Sequence, residues 1–96
     1  MRPILHGDVS DAARALLAAP SEARERLCRR MIAEADAALS HVNRTGTLHP
    51  AWGNGSLMSA ARKRRLAPEP GFHDMDYCRC METVLSCLIE HDVERI

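Results

Sequence analysis

Apolar side chains in this chain recur at three- and four-residue spacing in four separate stretches, and no window alternates apolar and polar residues around β-branched ones. That periodicity places the apolar residues on one face of a helix and leaves no strand to pair. Fourteen alanines reinforce it, alanine being the strongest helix former. The expectation is an all-α fold: a small bundle of about four helices, two long and two short.

Proline and glycine set the boundaries. A first helix is expected near Val9–Ala19, with Asp8 as N-cap and Val9, Ala13, Leu16 and Leu17 on one face. Pro20 stops it and starts the next, since a missing N–H costs nothing in a first helical turn. The second helix, near Ser21–Arg44, carries Leu27, Met31, Ala35, Ala38, Leu39 and Val42 on its apolar face and ends at Gly46. A third is expected near Ser56–Leu66. After the linker Pro68-Glu69-Pro70-Gly71, a fourth runs near Met75–Glu94 with Asp74 as N-cap. Its expected stripe is Met81, Val84, Leu85 and Leu88, with Tyr77 and Ile89 at the margins. Leu27, Met31, Leu39, Met81, Leu85 and Leu88 are the expected core.

Ninety-six residues make a single helical domain, 1–96, in which only about 60–70% of the unfolded surface is buried. Thirteen basic residues balance thirteen acidic ones. A neutral chain is not a general nucleic-acid coat, and it lacks the charge repulsion that opposes self-association. Locally the charge is unevenly spread: residues 56–73 carry a net charge of +3 and residues 74–96 a net charge of −4.

The four cysteines, Cys28, Cys78, Cys80 and Cys87, do not read as a disulfide framework. Three fall in one helix, and Cys78 and Cys80 are too close for an ordinary bridge. The opening residues 1–8 lack an apolar signal-peptide core. The longest stretch without Asp, Glu, Lys or Arg, Thr45–Ala61, holds Gly, Pro, His and Asn and cannot span a bilayer. A cytoplasmic location with reduced thiols and no membrane contact is expected.

No catalytic constellation is readable. Cys87 and His91 share a helix face, but Cys78 and Cys80 point apart and no CxxC pair exists, so no metal and no cofactor is expected. A buried free cysteine behaves as a small hydrophobe. The segment Gly53-Asn54-Gly55-Ser56 lacks the lysine and preceding strand of a phosphate loop. The run Arg62-Lys63-Arg64-Arg65 has two readings. As possible nucleic-acid contacts these residues meet phosphates. As structural residues they complement the third helix's C-terminus and pair with the acidic last helix.

The turn-rich segment around His49, Trp52, Gly53, Asn54, Gly55 and Ser56 also has two readings. In one, Trp52 plugs the gap between the second and third helices. In the other, the corner binds an acidic side chain or small anion at the start of the third helix, with His49 at its rim. The segments 49–58, 2–8 and 77–80 together resemble small uncharacterised proteins of alphaproteobacteria. Twelve arginines against one lysine suit a GC-rich genome of that kind. The resemblance implies no activity, ligand or catalytic residue.

The function expected from these observations is a non-enzymatic cytoplasmic protein-interaction module. Its partner is an unknown protein, or a second copy in a homodimer formed through the fourth or second helix. The alternative is a nucleic-acid-associated regulator using the basic third helix.

Overall fold

The computed structural model describes residues 1–94. Four α-helices follow one another: α1 (His6–Leu17), α2 (Arg24–Thr45), α3 (Leu57–Ala61) and α4 (Met75–Glu94), with a 3-10 turn at Ser21–Ala23 before α2. There are two long helices and two shorter ones, and no strand among the described residues; the fold class is the expected one.

Three boundaries behave as the punctuation requires. Gly46 takes the left-handed conformation (φ 76°) that closes α2, and its N–H bonds the Val42 carbonyl. Asp74 caps α4: its carboxylate accepts the Tyr77 N–H at 3.0 Å. Pro20 ends the α1 segment, and it stands just before the 3-10 turn rather than inside a helical turn.

Two boundaries differ. Asp8 is not the N-cap of α1, because the helix begins two residues earlier and places Asp8 in its first turn. From there its Oδ2 accepts the Leu5 N–H at 2.9 Å. Helix α3 stops at Ala61 rather than Leu66. The N–H groups of Lys63 and Arg64 fall back on the carbonyls of Ala60 and Ala61, tightening the last turn. The chain then leaves to make paired backbone and side-chain bonds between Ala67 and Arg14.

The core mixes alanines and cysteines with a few large side chains. Ala12, Ala13 and Leu16 of α1 are fully buried against Cys28, Met31 and Ala35 of α2, Leu57, Ala60 and Ala61 of α3, and Val84 of α4. Tyr77, Cys80 and Cys87 complete it. Of the expected core only Met31 is fully enclosed; Leu27, Leu39, Met81 and Leu88 are half-buried. Leu85 is a correction: it is 48% exposed, and Ile89 is 64% exposed. Helix α4 packs on both α1 and α2 along Tyr77, Cys80, Val84 and Cys87, so the cysteines face inward and the stripe through Leu85 turns out to solvent.

Candidate functional site

The segment between α2 and α3 is held by its own polar groups. His49 and Gly53 exchange backbone hydrogen bonds at 2.9 and 3.1 Å. Inside that turn, the Nδ1 of His49 accepts the N–H groups of Ala51 (3.0 Å) and Trp52 (3.1 Å). The Trp52 ring stacks on the His49 ring at 4.6 Å, nearly parallel, and His41 of α2 meets His49 edge-on at 5.0 Å. Trp52 is half-buried and stands outside the hydrophobic core. It therefore does not plug the bundle; the histidine it covers takes up its apolar face.

The corner at the start of α3 is likewise filled from within. Ser56 Oγ accepts the Ser59 N–H at 3.0 Å, and Asn54 Oδ1 accepts the Ser56 N–H and the Ser59 hydroxyl at 2.9 Å each. The Met58 N–H goes to Asp8 Oδ1 at 2.9 Å. The acid expected at this helix start is thus supplied by α1 of the same chain. Gly55 (φ 93°) lets the backbone pass Leu39, where a Cβ would stand 2.6 Å from the leucine Cβ. Arg2 then bonds across the turn, its N–H to the Gly55 carbonyl and its Nε to that of Asn54.

The basic run divides by role. Arg62 Nε contacts Asp11 of α1 at 2.7 Å. Arg64 forms a two-pronged pair with Glu34 of α2 at 2.6 and 2.7 Å. Lys63 and Arg65 project into solvent. Among the described residues the run makes no pair with the acidic last helix, as one expectation had it. That helix is met by α2: Arg24 holds Asp76 at 2.8 and 3.1 Å, and Arg29 holds Glu90 at 2.7 Å. The geometry explains the exchange, because α4 packs alongside α2 while the run crosses between α1 and α2.

Between α2 and α4 lies a cavity of about 230 Å³ lined by Arg29, Asp36, Cys87, Glu90 and His91. His91 Nε2 stands 2.9 Å from Asp36 Oδ2, without aligned hydrogen-bond geometry. Asp36 also receives the Met1 amino group. Burial pushes the Cys87 and Cys28 thiols upward, away from the nucleophilic thiolate. No group of three or more His, Cys, Asp or Glu among the described residues is arranged to hold a metal ion.

The remaining surface feature was misplaced by periodicity. Leu85 and Ile89 stand one turn apart on the outer face of α4. Cys78, half-buried, lies on the same line and donates to the Phe72 carbonyl at 3.1 Å. Phe72 itself is 62% exposed. The exposed apolar stripe of α4 is therefore Leu85 and Ile89; exposed Glu82, one turn after Cys78 on the same line, separates it from Cys78 and Phe72. Exposed Glu82 and Asp92 border it.

Residues 2–88 match one protein family, described as a domain of unknown function (DUF7742). No curated protein and no solved structure matches the chain.

Proposed function

We propose that this chain, which belongs to the DUF7742 family, is a non-enzymatic protein-interaction module of a bacterial cytoplasm. The observation that carries the reading is the outer face of α4: two large aliphatic side chains, Leu85 and Ile89, left open on a helix whose opposite face is sealed in the core. Aligned exposed apolar residues rimmed by polar ones mark contact sites. Glu82 and Asp92 border the stripe, so a partner with an apolar segment flanked by Lys or Arg fits it. A twofold pairing of α4 with itself brings like charges together. The reduced cysteines support a reducing compartment. The arginine-rich, lysine-poor composition supports an alphaproteobacterial source. No helix among the described residues is long and apolar enough to cross a membrane.

The test places a photo-crosslinking residue at position 85 or 89, with position 37 on α2 as the control, in native host cells. One protein crosslinked from α4 and not from α2 is expected. Once purified, it should bind the wild-type chain and lose at least tenfold in affinity to Leu85→Glu/Ile89→Glu, with the melting temperature of the variant retained. A homodimer abolished by Leu85→Glu would assign the face to a second copy instead, and no crosslink with no dimer would overturn the reading.

A further inference from the structure

Helix α2 has a second solvent-facing side, away from α4, and its charge is of one sign. Arg26, Arg30 and Arg44 lie on it, with Ala37 and Ser40 between them. All five are exposed, and none of the three arginines has an ion-pair partner among the described residues. The acids of α2 are held elsewhere: Glu25 by Arg29, Glu34 by Arg64, and Asp36 by His91 and the Met1 amino group. The line from Arg26 to Arg44 therefore carries no carboxylate over about 27 Å of helix, and Glu34 and Asp36, which flank it, are each held by a partner. The Arg64–Glu34 pair adds to it. Glu34 is one turn from Arg30, so the pair sets Arg64 at the flank of this face, with Lys63 and Arg65 its exposed neighbours in the chain. The two paired members of the basic run act as an anchor, and its two unpaired members extend the patch.

We infer that this face binds the phosphate backbone of duplex DNA, through Arg26, Arg30, Arg44, Lys63 and Arg65. The small side chains between the arginines allow a helix to approach a groove closely, and the B-form major groove is wide enough to admit one. The face presents no exposed aromatic ring on which unstacked bases would lie, which disfavours single strands. The large exposed apolar residues, Leu5, Leu48, Phe72, Met75, Leu85 and Ile89, are all off α2, so no apolar wedge accompanies the charge as a membrane surface would require. Five cations and few hydrogen-bonding groups specify backbone contact without base reading. The zero net charge of the chain confines the interaction to this one face. The inference is independent of the α4 surface.

The experiment is fluorescence anisotropy of the full chain with a labelled 20-base-pair DNA duplex, titrated at several salt concentrations. Matched single-stranded DNA, duplex RNA and vesicles of anionic phospholipid serve as comparisons. Duplex binding is expected at low salt, with log affinity falling against log salt at a slope of about −3 to −5. Each of Arg26→Gln, Arg30→Gln and Arg65→Gln should weaken binding several-fold and reduce the slope by about 1. Arg79→Gln, an exposed cation on α4, should leave it unchanged. All these positions are exposed, and an unchanged circular dichroism spectrum and melting temperature confirm that each variant folds. No duplex binding at low salt, affinity insensitive to the three arginine variants, or tighter binding to single strands, RNA or vesicles would overturn the assignment.

Discussion

Asp8 Oδ1 accepts the backbone N–H of Met58 at 2.9 Å, across a sequence separation of 50 residues. Its other oxygen accepts the Leu5 N–H at the same distance, so one carboxylate joins the start of α1 to the start of α3. Asp8 is 5% exposed, and removing its side chain leaves both N–H groups without that acceptor. Asp8→Ala is expected to cost about 1–3 kcal/mol, read as a lowered denaturant midpoint with an unchanged slope. A midpoint equal to wild type would show that the clasp contributes nothing.

Two glycines that both take a positive φ separate conformational strain from crowding. Gly46 (φ 76°) has open space where a Cβ would stand, and Gly55 (φ 93°) has the Cα and Cβ of Leu39 within 2.7 Å of it. Gly46→Ala is expected to cost about 1–2 kcal/mol, the left-handed penalty alone. Gly55→Ala should cost more, because α2 must also move. Thermal melts giving the reverse order would contradict the packing of the 49–56 turn against α2.

The Arg24–Asp76 pair predicts a pH dependence of definite sign. The Arg24 guanidinium, through its hydrogen bonds and its charge, holds the Asp76 carboxyl below the ordinary carboxylate range. A carboxyl depressed on folding adds stability that is complete above its unfolded value, about 4, and is lost as pH falls through the folded value. Asp76→Asn should therefore lower the melting temperature slightly at pH 7, by a gap that narrows as the pH falls below about 4. A gap that widened on acidification would show that Asp76 is not the group involved.

Thiol reactivity should be graded by position. Cys78 is half-buried near the start of α4, whereas Cys28, Cys80 and Cys87 are enclosed and burial pushes all three thiols upward. An aromatic disulfide reagent at neutral pH is expected to modify one thiol quickly and the other three only on unfolding. Cys78→Ser should abolish the fast phase. A fast phase that persisted in that variant would mean that α4 opens from the bundle.

The ends of α2 and α4 were legible because they rest on local chemistry: a glycine that takes a positive φ, an aspartate three residues before the N–H it caps. The inward face of α4 was not. Leu85 and Cys87 lie on different sides of the helix, and side-chain hydropathy alone ranks leucine as the buried one. The choice is made by α1 and α2, which press on the Cys80–Cys87 side. Asp8 has the same character. Its residue type announces a helix start, but the N–H it serves belongs to Met58, and no short-range pattern connects the two. The corner at His49–Ser56 was visible as a special turn, while its occupancy by Asp8, Asn54 and Ser56 depended on which elements meet there.

The alanines that line the interior have a consequence for how this sequence can drift. Ala12, Ala13, Ala35, Ala60 and Ala61 sit with no accessible surface where helices approach one another. Trimming such a position to glycine removes a single methyl group. Enlarging it to valine or leucine forces the neighbouring helices apart, at a cost of about 1–3 kcal/mol or more. The core is vulnerable to the loss of its large inner side chains, such as Leu16 or Tyr77, and at the alanines it is vulnerable to the arrival of a new one. Those alanine positions should tolerate exchange among glycine, alanine, serine and cysteine, and reject the bulky apolar residues that other cores accept.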